Sequence, residues 1–249
     1  NYLGGSVSVF PIAQDGSTKE AVHIEKFERE GLSAECRYDL FELPEISCVE
    51  DFVSSTEGLV GFNVTIPYKQ QIIPYLTDLS DEARNIGAVN CVKLLPDGKR
   101  VGYNTDVDGI RISLDKLLGC AEVNSALVLG TGGASQAVQY VLAERNIPFS
   151  IVSRDKAKGN FTYEELSQEI IASHPLIINS SPVGMYPNVD DAPALHYEYL
   201  TPQHYLFDLV YNPTTTKFME LGARYGVQTL SGLDMLYAQA EAAWAIWNR

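Results

Sequence analysis

The first hundred residues combine short apolar runs with one stretch of helical spacing. Residues 6–10 and residues 59–64 carry the apolar patterns of two strands. Between them, apolar positions three and four residues apart predict a helix over residues 18–30, and Gly31 is its stop. Further on, Pro96-Asp-Gly-Lys99 separates two β-like segments and predicts a hairpin. This half of the chain therefore mixes a sheet with helices.

After residue 106, short buried runs alternate with longer amphipathic stretches. The short runs predict strands at residues 125–129, 148–153, 176–179 and 205–210. The longer stretches predict helices around residues 110–118, 134–144 and 233–247. A strand that runs through a glycine turn into a helix and then another strand is typical of a parallel, doubly wound sheet. The second half is therefore predicted to be an α/β domain of that kind.

Composition and charge exclude several classes of protein. The 249 residues allow one large or two modest domains. The 18 basic and 32 acidic residues give a net charge of −14, which argues against a nucleic-acid or anionic-membrane partner. No apolar run approaches the ~20 residues that span a membrane. Four widely spaced cysteines without a C-x-x-C pair predict no metal site, no disulfide framework and a cytoplasmic protein.

The glycine-rich segment Gly130-Thr131-Gly132-Gly133-Ala134-Ser135 follows a predicted strand and opens a predicted helix. Glycines at such a turn let backbone N–H groups approach a pyrophosphate at the helix N-terminus. The last position of the usual G-x-G-x-x-G/A pattern is Ser135, which is small but departs from it. The alternative is a glycine-rich turn without a ligand, but the strand–turn–helix context favours a dinucleotide.

The next predicted strand ends in Ser153-Arg154-Asp155-Lys156. An acidic residue at this place usually binds the ribose hydroxyl of NAD, whereas arginine suits the 2′-phosphate of NADP. Ser153, Arg154 and Lys156 therefore favour NADP. Asp155 would weaken that preference if it pointed inward, and a solvated turn without a ligand is the alternative.

Polar residues in the first half follow the predicted strand ends. Asn63 and Thr65 share one face of a strand end. Pro67 is predicted to begin a helix with Lys69 in its first turn, where the helix dipole disfavours a cation. A lysine at such a place suggests a functional role. Asn90 and Asp106 add an amide and a carboxylate at further strand ends, although Asp106 could simply cap the following helix.

Seven blocks of the chain, in order and spacing, resemble the shikimate dehydrogenase family. They are N-V-T-I-P-Y-K (63–69), G-A-V-N (87–90), N-T-D (104–106), G-T-G-G-A-S (130–135), S-P-V-G-M-Y-P (181–187), D-L-V-Y-N-P (208–213) and G-L-D-M-L-Y-A-Q-A (232–240). The resemblance covers the chain from about residue 59 to its end. It implies NADPH-dependent, reversible reduction of 3-dehydroshikimate to shikimate, a step towards chorismate and the aromatic amino acids.

The resemblance also implies an architecture and a set of roles. It implies an N-terminal α/β substrate domain (residues 1–106, to which the final helix, 233–249, returns) and a Rossmann-like NADP domain with a doubly wound parallel sheet (residues 107–232). The catalytic pair is Lys69 and Asp106, with the lysine exchanging a proton and the aspartate orienting it. Substrate-contacting positions are Asn63, Thr65, Asn90, Tyr211 and Gln239. The NADP site comprises Gly130, Thr131, Gly132, Gly133, Ala134, Ser135, Ser153, Arg154 and Lys156, and the nicotinamide end falls at Leu209 and Gly232.

The resemblance weakens before residue 30, where the family holds the substrate carboxylate with two serines. Counting back from the helix at residues 23–27 places Ser17 at the first serine and Lys19 at the second. Either the Lys19 ammonium binds the carboxylate, or Ser17 or Thr18 does so while Lys19 is solvated. A quinate-type dehydrogenase and a non-catalytic dinucleotide or metabolite sensor are the alternatives. The expected partner is a small-molecule substrate, and the expected assembly is a monomer or homodimer.

Overall fold

A computed structural model of the protein describes residues 5–10, 17–32, 34, 36–41, 43–65 and 67–249. The chain forms two compact units. Asn1–Thr105 and Gln239–Arg249 make up the first unit, and Asp106–Ala238 makes up the second. The sequence-based boundaries were residues 106 and 232, so the second boundary falls six residues later, inside the final helix. The functions assigned to the two domains remain predictions.

The first unit is built on a mixed sheet. Its strands are β1 (Gly5–Phe10), β2 (Cys36–Leu40), β3 (Leu59–Val64), β4 (Asp78–Leu79), β5 (Cys91–Leu94) and β6 (Arg100–Tyr103), and its helices are α1 (Ser17–Glu30), α2 (Val49–Ser55) and α3 (Asp81–Ile86). The strands lie in the order β2-β1-β3-β5-β6-β4. β1 is parallel to β2 and β3, whereas β5 is antiparallel to β3 and β6. The predicted hairpin is confirmed by the β5–β6 pair, which turns at Gly98 with a φ of 83°.

The prediction that a helix begins at Pro67 is wrong. Residues 67–72 form hydrogen-bonded turns, and Ile73–Tyr75 is a single 3-10 turn. The physical reason is Pro74, which has no N–H to donate to the Gln70 carbonyl and disfavours helical backbone at Ile73. The Gln70 carbonyl accepts instead from the Ile73 N–H at 3.3 Å. Lys69 therefore lies in a turn, and the argument from a helix dipole does not apply to it.

The second unit is a parallel α/β sheet. Its strands are β7 (Ala126–Leu129), β8 (Phe149–Val152), β9 (Leu176–Asn179), β10 (Tyr205–Asp208) and β11 (Gln228–Leu230), and its helices are α4 (Asp106–Leu118), α5 (Gly133–Glu144), α6 (Gln168–Ala172), α7 (Lys217–Ala223) and α8 (Leu233–Trp247). The order β11-β10-β9-β7-β8, with all pairs parallel, confirms the doubly wound prediction. The topological switch lies between β7 and β9, and ligands of such sheets bind outside the carboxyl ends of the strands at this point.

Helix α8 belongs to both units, because its residues from Gln239 onwards cluster with the first. Its last turn packs against the sheet of that unit. Trp247 is 4% exposed, and its indole Nε1 donates to the Val92 carbonyl at 3.0 Å. A Cβ on Gly61 would lie 2.3 Å from this nitrogen, so only glycine fits there. No helix among the described residues is long and apolar enough to cross a membrane.

Candidate active site

Three predicted substrate-contacting amides lie together in the first unit. The Asn63 amide nitrogen donates to the Asn90 carbonyl oxygen at 3.0 Å, and the Asn90 amide nitrogen approaches the Gln239 Oε1 at 3.4 Å. All three side chains are buried. Buried amides without partners would cost about 1–3 kcal/mol each, and this network supplies partners. We call Asn63, Asn90 and Gln239 the amide cluster.

The amide cluster contacts two residues that were not among the predicted site residues. The Asn90 Oδ1 accepts from the Thr105 N–H at 2.7 Å, and its Nδ2 donates to the Thr105 hydroxyl at 3.1 Å. The Tyr38 hydroxyl donates to the Asn63 Oδ1 at 3.2 Å. Thr105 lies inside the N-T-D block, so the block itself indicated it. Tyr38 lies in β2, a strand that the hydrophobic pattern did not predict.

Lys69 is joined to the same region through its backbone. Its carbonyl accepts from the Val89 N–H at 2.7 Å, one residue before Asn90. The lysine is only 8% exposed, which is uncommon for this residue type. Thr65 is half-buried, and its carbonyl accepts from the Tyr68 N–H at 2.8 Å, which closes the turn that carries Lys69. The structure thus brings the predicted Lys69 and Thr65 next to the amide cluster in the chain fold.

The other predicted residues of this half are placed differently. Asp106 is the first residue of α4 and is 2% exposed, and a carboxylate in a first helical turn is favoured by the helix dipole. Ser17 begins α1, but the side chains of Ser17 and Lys19 fall outside the described residues, as do residues 11–16. Their predicted role at the substrate carboxylate remains a prediction.

The glycine turn lies at the switch point of the second sheet. Gly130 follows β7 with a φ of +114°, and a Cβ there would lie 3.1 Å from the Ser180 Oγ, after β9. Gly132 is the N-cap of α5 and has open space where a Cβ would stand. This open space at the N-terminus of α5 is what a bound pyrophosphate would need. Thr131 is exposed beside it, while Gly133 and Ala134 form the first turn of α5.

Ser135 has a structural reason for replacing the usual small apolar residue. It is fully buried, and its hydroxyl donates to the Gly130 carbonyl at 2.8 Å. The Gln139 amide donates in turn to the Ser135 oxygen at 3.0 Å. The departure from the fingerprint therefore ties the first turn of α5 to the glycine loop.

Asp155 does not occupy the position that would favour NAD. Its carboxylate accepts from the Ala157 N–H at 3.0 Å and so caps its own 3-10 turn. Ser153 is buried, and its hydroxyl accepts from the Asp155 N–H at 3.1 Å. Arg154 is exposed, and within the described part of the chain it has no ion-pair partner. This turn therefore presents the Arg154 guanidinium to solvent at the end of β8.

Lys156, in contrast, is already paired. Its ammonium lies 2.8 and 2.6 Å from the two Glu165 carboxylate oxygens and 3.0 Å from the Asn160 carbonyl. The pair is exposed and adds little to stability, but it holds the ammonium away from other anions. The hydrogen bond from Lys156 also lowers the pKa of the Glu165 carboxyl. The predicted role of Lys156 at a phosphate thus competes with Glu165.

The predicted nicotinamide-end residues lie at the carboxyl ends of β9, β10 and β11. The Leu209 N–H donates to the Asn179 carbonyl at 2.9 Å, and the Gly232 N–H donates to the Val210 carbonyl at 3.1 Å. A Cβ on Gly232 would stand 2.2 Å from the Leu209 carbonyl oxygen, so this close approach requires glycine. Tyr211 follows in the same loop and is half-buried.

A buried carboxylate beneath these loops was missed in the sequence. Asp208 is fully buried at the end of β10. Burial raises its pKa to about 6, although hydrogen bonds from Thr216, Val210 and Asn179 act in the opposite direction. The D-L-V-Y-N-P block contains this residue, but nothing in the local pattern shows that its side chain points inward.

The parallel sheet, its switch point and the open glycine turn are the architecture of a dinucleotide-binding α/β protein. A model of the shikimate dehydrogenase substrate binding domain matches residues 10–92. The shikimate dehydrogenase (NADP(+)) of Methanococcus maripaludis strain C6 is 38% identical over 204 residues, which are 76% of this chain and 72% of that protein. That of Clostridium beijerinckii is 38% identical over 229 residues, 87% and 83% of the two chains.

A solved structure gives the same result. The shikimate 5-dehydrogenase of Thermus thermophilus, in complex with NADP(H) and shikimate, superimposes with a TM-score of 0.85 at 28% identity, covering 98% of this chain and 93% of that one. The chain belongs to the shikimate dehydrogenase family. The resemblance found in the seven blocks is thereby confirmed.

Proposed function

We propose that this protein catalyses the reversible, NADPH-dependent reduction of 3-dehydroshikimate to shikimate. The amide cluster carries the proposal, because three buried side chains that can hydrogen-bond to hydroxyl groups meet there, beside the turn of a buried lysine. Amide side chains both donate and accept, which suits the hydroxyl groups of a cyclohexane ring. Their family positions match those of substrate contacts.

The chemistry assigns a role to each residue of the catalytic pair. Bound NADPH supplies a hydride to the ring ketone. The ketone oxygen gains negative charge, so a cation or proton donor has to stand beside it. Lys69 supplies the proton during reduction and accepts it during oxidation. Asp106 is the acidic member of the pair, and Thr65 with the amide cluster orients the substrate hydroxyls.

Cofactor selection is proposed to depend on Arg154. We expect Arg154→Ala to raise the KM for NADP by at least tenfold, about 1.4 kcal/mol, while the KM for NAD changes little. The reason is that a guanidinium makes paired hydrogen bonds to a 2′-phosphate that NAD lacks. Steady-state kinetics with each cofactor measures the two KM values. Lys158→Ala, in the same turn, tests whether the loss of any positive charge would raise the KM for NADP equally. An unchanged ratio of NADP to NAD efficiency in Arg154→Ala would contradict the assignment.

One assay distinguishes the proposed shikimate dehydrogenase from two alternatives, a quinate-type dehydrogenase and a sensor. A quinate-type dehydrogenase would oxidise quinate faster than shikimate, and a sensor would bind NADPH without turnover. Following NADPH absorbance with both acids distinguishes the three cases. The similar proteins of Methanococcus maripaludis and Clostridium beijerinckii are shikimate dehydrogenases (NADP(+)), which favours shikimate as the substrate. The presence of both Lys69 and Asp106 disfavours a sensor, because a sensor needs no proton transfer.

The residue that binds the substrate carboxylate is proposed to lie at the start of α1. If the Lys19 ammonium binds it, Lys19→Ala should raise the KM for shikimate tenfold or more, since a charge-assisted hydrogen bond is worth about 1.5–3 kcal/mol. If a hydroxyl binds it, Ser17→Ala should show the larger rise. Kinetics of the two variants side by side decide between the residues. No change in either would place this segment outside the site.

The proposal also covers the cellular location and the oligomeric state of the enzyme. We expect a cytoplasmic protein, in keeping with four cysteines that are free thiols. A monomer or homodimer is expected, and light scattering on the purified chain distinguishes them. Among the described residues, no three His, Cys, Asp or Glu side chains gather as a metal site would require.

A further inference from the structure

Two loops border the switch point of the second unit, where a ligand-binding crevice is expected in a sheet of this kind. The loop after β9 contains Ser180 and Ser181, which stand against Gly130. The loop after β10 contains Leu209 and Tyr211, predicted to contact the nicotinamide end and the substrate. Both loops leave the sheet at its carboxyl edge, where ligands of such sheets bind.

A single buried side chain connects these two loops. The Asp208 Oδ1 accepts from the Asn179 amide at 2.9 Å and from the Val210 N–H at 3.1 Å, and its Oδ2 accepts from the Thr216 hydroxyl at 2.5 Å. Asn179 extends this chain of hydrogen bonds to Ser181, because its Oδ1 accepts from the Ser181 N–H at 3.1 Å and from the Ser181 hydroxyl at 2.7 Å. Asp208 therefore reaches both loops within two hydrogen bonds.

One backbone hydrogen bond joins the two loops directly: the Tyr186 N–H donates to the Asn212 carbonyl at 3.2 Å. Within the first loop, the Asn179 side chain also donates to the Val183 carbonyl at 3.3 Å. A charged, fully buried carboxylate is costly unless it is well hydrogen-bonded. At Asp208 this cost is offset by three hydrogen-bond donors, from Asn179, Val210 and Thr216.

We propose that Asp208 is a positioning residue for hydride transfer: it fixes the loops at residues 180–187 and 209–216 as one wall of the crevice. The inference rests on the proposed function, since it concerns the same reaction. Asp208 touches neither substrate nor cofactor in this proposal. It acts through Asn179 and Val210, which set where the Ser181 and Tyr211 segments stand.

Two variants of Asp208 separate geometry from charge. Asp208→Ala removes every acceptor, and we expect kcat to fall on the order of 10²-fold, the effect of a displacement of about 1 Å in a reacting pair. Asp208→Asn keeps an oxygen for Asn179 and Val210 and offers an N–H to Thr216, so kcat should stay within about fivefold of the parent. In both variants the Kd for NADPH, from its fluorescence, should change less than kcat does.

Hydrogen exchange supplies a readout that needs no substrate. In Asp208→Ala, amides of residues 180–187 and 209–216 should exchange faster together, while β7 and α5 keep their protection. Ile171→Ala, in α6 and fully buried, is the matched control for lost stability alone. It should lower the melting temperature and leave kcat and both loops as they are.

Several results would overturn the inference. An Asp208→Ala variant with parental kcat would do so, as would an Asp208→Asn variant as impaired as the alanine variant. If Asp208→Ala does not fold, Ser181→Ala tests the same connection, with an expected fall in kcat of at least about threefold and unchanged melting temperature, and a parental kcat overturns it. Absence of shikimate turnover in the parent enzyme refutes the proposed function alone, because the exchange experiment still decides whether Asp208 joins the loops.

Discussion

Lys69→Ala should lower kcat by roughly 10²–10⁴, the usual contribution of a positioned acid–base group. The KM for shikimate should change much less, because the amide cluster and Thr65, which are proposed to bind the ring, remain in place. The expected fall in kcat follows from the proposed mechanism, because removing Lys69 would remove the proton donor beside the ketone oxygen. Steady-state kinetics in both directions, with NADPH and with NADP, measures the effect.

The control for this experiment is another lysine of the first unit. Lys99 is exposed beside Asp97 in the β5–β6 turn, and Lys99→Ala should leave kcat unchanged. Lys69→Arg keeps a cation but holds its proton far too tightly to exchange it near neutral pH, so it should be almost as impaired as the alanine variant. Turnover near the parental value in Lys69→Ala would remove the residue from the mechanism.

Elements with a continuous apolar pattern were predictable from the sequence. β3 and α8 have the predicted bounds, because each has enough buried residues to show its period. β2 was missed, since Arg37 is exposed and Asp39 is half-buried in it. It lies at the edge of its sheet and pairs with β1 alone, so only Tyr38 shows a buried face clearly. β11 escaped for the same reason, as a three-residue edge strand.

The sequence indicated candidate site residues but not the contacts between them. Local spacing placed Asn63 and Thr65 on one strand end, but it did not show that Asn63 meets Asn90, which lies 27 residues away, or that Asn90 meets Gln239, 149 residues away. Such contacts arise from tertiary packing, which leaves no period in the sequence. The Lys156–Glu165 pair illustrates the same limit, because a basic residue in a motif gives no indication of a competing partner.

Trp247→Ala should destabilise the protein by about 3–5 kcal/mol, as expected for removing a large buried aromatic side chain. Its indole fills the space above Gly61 and donates to the Val92 carbonyl, so truncation leaves a cavity and removes this hydrogen bond. Because the same helix carries Gln239 into the first unit, loosening its end should also raise the KM for shikimate. Urea unfolding followed by fluorescence and circular dichroism, together with kinetics, measures both effects.

Trp244 provides the matched comparison, because it is the same residue type one turn earlier in α8 but is only half-buried. It packs on Phe27 at 5.2 Å between ring centroids and lies under the Lys26 ammonium, so Trp244→Ala should cost clearly less than Trp247→Ala. Trp247→Phe keeps most of the ring and loses the N–H, which isolates the hydrogen bond at about 1 kcal/mol. Equal losses in the two alanine variants, or a loss below about 1 kcal/mol in Trp247→Ala, would show that the Gly61–Trp247 contact does not anchor the helix. A large loss of stability with an unchanged KM would show instead that the position of Gln239 is set by Asn90 alone, and not by the end of the helix.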